Sequence, residues 1–262
     1  MSRRYAALTA AACIAASWPV RVSPISPPVH PARGRAAPGA DVGRIVGTVE
    51  VSSALVARRA RFRIYSDAGA GAVLPPAPHS DIPSELRNVV IYVGGDGRGA
   101  QLNEASGLPA TTLDSLRRGV MSQSQEAFVP HVLSIMRGGR VDFPNADDIY
   151  HNVFSLSSTR TFDLGRYPTG SSKSVTFTRP GVVQVFCHIH SDMSGIVFVL
   201  PNPFFSRPDS AGTYAIENVP PGEYTLIGWH ERTKPVAVKV RVTAGGTARV
   251  DFNLPLERPP EP

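Results

Sequence analysis

Cysteine is nearly absent. The 262-residue chain has two, Cys13 and Cys187, and only Cys187 lies beyond the first 20 residues. A lone thiol in the body excludes an intramolecular disulfide, so Cys187 is either free or occupied. Acid is missing from residues 1–40, which hold Arg3, Arg4, Arg21, Arg33 and Arg35; without them, 22 Lys and Arg face 21 Asp and Glu. A body so nearly neutral lacks the clustered basic face of a nucleic-acid binder, and no nucleic-acid partner is expected. The one dense basic run, RRARFR at 58–63, reads as a solvated strand edge. Long apolar runs are missing as well, so no transmembrane segment is expected in the mature chain.

Turn chemistry is plentiful instead. With 25 Pro, 23 Gly, 42% hydrophobic and 18% charged residues, the composition is that of a turn-rich, all-β globular protein. At the N-terminus two arginines precede thirteen mostly small apolar residues, Tyr5 to Ser17. That is the build of a secretory signal, too short to span a bilayer. SRRYAAL loosely resembles a twin-arginine signal, and Cys13 reads as an ordinary member of the apolar run. The expected order is a signal over 1–18 and a disordered Pro-rich linker over 19–42, giving an exported protein, periplasmic or extracellular.

Strand patterns fill the rest. RIVGTVEV (44–51) and RNVVIYVGG (87–95) read as strands, with one short helical turn near TTLDSLRRG (111–119). HVLSIMRGGRVDFPN (131–145) reads as two strands around a Gly-Gly turn, HNVFSLS (151–157) as one, and KSVTFTRPGVVQVFC (173–187) as two about Pro180-Gly181. GIVFVL (195–200), GTYAIENVPPGEYTLIGWHE (212–231), VAVKVRV (236–242) and ARVDFNL (248–254) follow. In VAVKVRV the valines 236, 238, 240 and 242 share one side, the mark of a half-buried sheet. The pattern predicts two β-sandwich units, near 121–200 and 201–256, with a β segment over 43–120 ahead of them and a fraying tail at 257–262.

The stretch VQVFCHIHSDMSGIV (183–197) carries the chemistry. Cys187, His190 and Met193 follow one another at intervals of three, between two apolar strands. One thiolate, imidazoles and a weak thioether suit copper in a trigonal His₂Cys site with a long Met bond. Zinc is better served by further thiolates or a carboxylate. The second imidazole must come from outside the loop, from His131, His151, His188 or His230. His151 opens a strand after an acidic turn, where a side chain can point into the end of a sandwich, and is the preferred ligand. His188 should face away from Cys187 by strand alternation. His131 reads as structural and His230 as a packed histidine on a domain surface.

FVPHVLSIMRGGRVDFPNADDIYHNVF followed by GVVQVFCHIHSDMSGIVFV resembles a cupredoxin of the plastocyanin and amicyanin kind, over about 80 residues, 121–200. The resemblance implies a Greek-key β-sandwich and a mononuclear type 1 copper site on His151, Cys187, His190 and Met193. It also implies a supporting role for Asn152, which would tether the copper loops. One departure is His188, where a small hydroxyl residue is common. PDSAGTYAIENVPPGEYTLIGWHE (208–231) resembles a carboxypeptidase regulatory-like, transthyretin-like sandwich through its Asp-x-x-Gly-x-Tyr turn and VPPGEYTL corner. That family's opening strands are matched by GRIVGTVEV and RNVVIYV, so the cupredoxin is expected to be inserted into a domain built from 43–95 and 202–256.

The function implied is an exported blue copper protein carrying single electrons between transient redox protein partners, and not an enzyme. A multicopper oxidase would need several His-x-His pairs and a histidine directly before the cysteine, where Phe186 stands. A binuclear centre would need two cysteines, and HERT (230–233) is not a His-Glu-x-x-His zinc motif. Two other readings share the sequence: a copper-binding or copper-delivery module without a redox role, and an adhesion or scaffold protein with a structural copper site.

Overall fold

The computed structural model describes residues 42–51, 85–96, 99, 102, 107–190 and 192–255. The expected signal, the linker up to residue 41, the basic run 58–63 and the tail 257–262 lie outside them. Among the described residues no helix is long and apolar enough to cross a membrane.

The chain opens with β1 (Gly43–Val51) and β2 (Val90–Val93). A seven-residue helix, α1 (Ala110–Leu116), then leads into β3 (Arg118–Val120), β4 (Ser122–Ser124), β5 (Ala127–Val129), β6 (Val132–Met136) and β7 (Gly139–Pro144). Next come β8 (His151–Ser157), β9 (Arg160–Tyr167), β10 (Ser172–Phe177), β11 (Gly181–Phe186) and β12 (Ser194–Leu200). The last run is β13 (Phe205–Ser206), β14 (Thr213–Val219), β15 (Gly222–Trp229), β16 (Val236–Val242), β17 (Thr247–Arg249) and β18 (Phe252–Leu254).

These strands build two sandwiches. In the first, a sheet of order β10-β7-β3 faces one of order β6-β12-β11-β8-β9. Phe143, Phe177, Met121, Val185 and Val197 fill the space between, with Cys187 and Met193 at one end of the same core. β3 falls ahead of the expected start at 121 and pairs with β7 in parallel. The second sandwich sets β14-β1-β17, with β18 also on β1, against β13-β2-β15-β16, over a core that includes Ile45, Ile91, Phe204, Leu226 and Phe252. Its two opening strands come from before the first sandwich in sequence and pair with strands that follow it: β1 with β14, β17 and β18, and β2 with β13 and β15. Gly47 makes this closure fit, because a Cβ there would lie 1.7 Å from the Val250 carbonyl oxygen.

A third apolar cluster joins the two sandwiches. Val132, Ile196, Phe198 and Leu200 on the outer face of β6 and β12 meet Val90 and Trp229. The Phe198 and Trp229 ring centroids are 4.7 Å apart, and Tyr92 meets Phe198 edge-on at 5.3 Å. Aromatic contacts of this kind add specificity to ordinary area burial.

The strands expected on either side of three turns are present, and the structure shows which sheets they join. The strands around Gly138-Gly139, around Pro180-Gly181 and around Pro220-Pro221 are not hairpin partners: β6 and β7, β10 and β11, and β14 and β15 lie in opposite sheets. Each turn is a corner that carries the chain from one layer to the other. The last is pinned by the Tyr224 hydroxyl, which donates to the Pro220 carbonyl at 2.7 Å. The valines of β16 do alternate as expected, with Val240 and Val242 buried and Ala237, Lys239 and Arg241 exposed.

Candidate metal centre

The site lies where β8 begins and β11 ends. Both strands are in the five-stranded sheet, and Phe186 pairs with Phe154 across them. His151 is the first residue of β8, and Cys187 directly follows β11. The loop after Cys187 turns back at once: the Met193 N–H donates to the His190 carbonyl at 3.1 Å, and the Cys187 N–H donates to the Met193 carbonyl at 3.2 Å. Those two bonds close a ring of backbone that holds Cys187, His190 and Met193 together before β12 departs.

His151 and Cys187 are buried and Met193 is 1% exposed, while His190 is partly open to solvent. The Cys187 sulfur is 3.8 Å from Nδ1 of His151 and 3.8 Å from Nδ1 of His190, and the two nitrogens are 3.1 Å apart. These three donors are the group of metal-binding type found among the described residues. A common ion about 2.0 Å from nitrogen and about 2.3 Å from sulfur, at about 120°, would separate N from S by about 3.7 Å. The same bond lengths at about 100° separate two nitrogens by about 3.1 Å. The donor set therefore fits one first-row metal ion.

Asp147 supports the site and is not singled out by the sequence reading. Its Oδ2 lies 2.8 Å from Nε2 of His151, four residues on. This carboxylate accepts a hydrogen bond from Nε2–H, which leaves Nδ1 turned to Cys187 as a lone-pair donor. Asp147 is itself clasped by the turn between β4 and β5, where the N–H groups of Gln125 and Glu126 donate to it at 2.5 and 2.9 Å. Both turn residues have φ of +55°, the left-handed region that Asn and Gly usually fill. Burial works against the charged carboxylate, but the N–H groups of Glu126 and Gln125 and the contact with His151 outweigh it and hold Asp147 below the usual carboxylate range. The His190 imidazole is pushed down, first by burial and further by His151, with Glu126 and Asp147 opposing.

Asn152 ties the two ligand segments. Its side-chain oxygen accepts the His188 backbone N–H at 2.7 Å, and its amide nitrogen reaches Asp163 at 3.4 Å. No hydroxyl after the cysteine is needed, because the backbone supplies the donor. The His188 ring is exposed and stacks on Phe154 with centroids 3.7 Å apart, and it is not one of the clustered donors. The structure places His131 and His230 elsewhere. His131 lies between Ser194 and Glu231. His230, expected on a domain surface, is fully buried against Glu85 at 3.1 Å.

Comparison with solved structures finds likeness over about a third of the chain. About 31% of the chain is similar to an amicyanin variant in its reduced state, at 24% identity over 80% of that chain, with a TM-score of 0.29. A similar share matches a purple cupredoxin from Nitrosopumilus maritimus at 23% identity over 96% of that chain, with a TM-score of 0.28. A Cu-containing nitrite reductase from Thermus scotoductus SA-01 matches at 28% identity and a TM-score of 0.30, and the chain spans 22% of its length. No family model and no curated protein matches. The metal assignment stands on the donor geometry.

Proposed function

We propose that the chain is an exported carrier of single electrons that holds one copper ion on His151, Cys187 and His190, with Met193 as a weak fourth ligand. The observation that carries this reading is the donor triangle, one sulfur and two nitrogens with separations of 3.8, 3.8 and 3.1 Å. One thiolate, two imidazoles and a thioether favour copper over zinc, which draws further thiolates or a carboxylate and an open position. A copper ion held there would take up and return one electron.

The protein's part is to keep the donors still and dry. His151 and Cys187 are fixed by paired strands, and Asn152 and Asp147 hold the segments around them. Donors so constrained have little freedom to rearrange between two charge states of the site. The buried sulfur and the buried His151 exclude water, and the partly open His190 is the natural route for an electron to a partner. Ile149 and Tyr150 precede His151, and Ile189 precedes His190; all three are exposed. Apolar side chains at that end suit a brief encounter over a small area, as redox partners make. Nothing in the site calls for bond making, so the role is transport of charge and not catalysis.

We read the second sandwich as carboxypeptidase regulatory-like. Asp209 supports this, accepting the N–H groups of Ala211 and Thr213 at 2.9 Å each, with Gly212 at φ of +80° in the same turn. The arginine-led apolar run at the N-terminus supports export.

Loading the purified chain with Cu(II) and cycling it tests the function. An electron carrier bleaches with ascorbate, recovers its colour with an oxidant and gives a reversible one-electron wave. Tight, colourless copper binding without a wave would favour a delivery module. Absence of stoichiometric copper would leave only a scaffold.

A further inference from the structure

The second sandwich reaches the metal loop through a side-chain relay from Glu231 to His131 to the Ser194 carbonyl. Glu231 directly follows Trp229 and His230 at the end of β15. Its carboxylate oxygens both lie 2.9 Å from Nε2 of His131, at the start of β6. The other ring nitrogen, Nδ1, lies 3.1 Å from the Ser194 carbonyl oxygen. Ser194 is the residue after Met193. Both partners of the ring are acceptors, and the ring links them through one rigid plane. The pair is shielded, with side chains 16% and 19% exposed.

Each end of the relay is anchored independently. Glu231 is held in place by its neighbour His230, which is fully buried against Glu85, itself fully buried. On the other side, the His131 carbonyl accepts the Ile196 N–H at 2.7 Å, so His131 grips β12 through its backbone as well as its ring. Two residues before Glu231, Trp229 packs on Phe198 of β12. The second sandwich thus holds β12 at two places, and the one nearer the donors is Ser194.

We propose that Glu231 is a positioning residue for the metal loop: through His131 it fixes the Ser194 carbonyl, and with it the placement of Met193 and the backbone ring closed by Cys187 and Met193. The second sandwich then serves as the outer support of the metal site and not as an independent appendage. The proposal rests on the copper reading only for its optical consequence. Its mechanical consequence is read on the metal-free protein.

The test is amide hydrogen exchange of the metal-free full chain, followed for the N–H groups of Cys187 and Met193, beside the absorption spectrum of the same protein with Cu(II). Glu231→Ala should speed exchange at those two amides by about two- to tenfold, the range of one lost hydrogen bond, while amides paired between β7 and β10 stay unchanged. The colour bands of the copper form should change in relative intensity. Glu231→Gln keeps an oxygen acceptor for His131 and should restore both signals. If Glu231→Ala does not fold, Glu231→Asp withdraws the carboxylate by one methylene and should give the same selective loosening. Unchanged exchange at Cys187 and Met193, or loosening spread equally over β7 and β10, overturns the proposal. Failure of the wild-type protein to bind copper with colour would refute the copper reading and leave the exchange result to decide this one.

Discussion

Nε2 of His151 sits 2.8 Å from the Asp147 carboxylate, and that carboxylate also closes the Gln125-Glu126 turn. One acid therefore orients a donor of the proposed metal centre and caps a turn whose two residues carry positive φ. Asp147→Ala removes both functions. Loss of such an outer partner commonly costs 10–100-fold in metal affinity, and a chelator competition with Cu(II) should show a weakening of about that size. Retention of wild-type affinity would mean that packing alone orients His151.

Asn152 is 2% exposed, and its side-chain oxygen accepts the His188 N–H. Asn152→Ala leaves that donor without its partner and loosens the link between the two ligand segments. The expected cost is about 1–3 kcal/mol in urea unfolding of the metal-free protein, the range for an unsatisfied buried group.

The donors were legible in the sequence for different reasons. Cys187, His190 and Met193 stand at intervals of three in one loop, and the lone cysteine drew attention to it. His151 lies 36 residues from Cys187, but its place at a strand start marked it before the structure brought the two side chains together. Asp147 carried no such mark, because an acidic turn is ordinary and only the fold puts its carboxylate under an imidazole. β9 was missed since its sequence, RTFDLGRY, alternates around charge and lies on a sheet edge with mostly exposed side chains. At 138 and 180 the sequence shows a turn between two strands but not its partners, since Gly-Gly and Pro-Gly permit reversal of the chain without saying which sheet receives it. Burial of His230 depends on Glu85, a partner 145 residues away that no local pattern reveals.

Glu85 and His230 form a fully buried pair, with Arg232 3.7 Å from the same carboxylate. Glu85→Ala leaves a buried imidazole without that acceptor. Leaving one buried polar group without its partner typically costs about 1–3 kcal/mol, and the unfolding midpoint should drop accordingly. Arg241→Ala removes an exposed partner of Glu223 and should leave the midpoint where it was.

Met193 is buried in the core of the first sandwich beside Cys187. Met193→Leu keeps the apolar volume and removes the thioether. Such volume-conserving exchanges are well tolerated in cores. The copper protein should stay coloured and its reduction potential should rise, since a weak axial donor that favours the oxidised ion has been taken away. A lower potential in a redox titration would contradict the role given to Met193.

The visible absorption spectrum of the Cu(II)-loaded protein, taken beside that of Cys187→Ala, bears most directly on the account. An intense blue or green colour in the wild type, abolished by the substitution, is the predicted result. A colourless wild type with stoichiometric Cu(II), or a variant as strongly coloured as the parent, would contradict it.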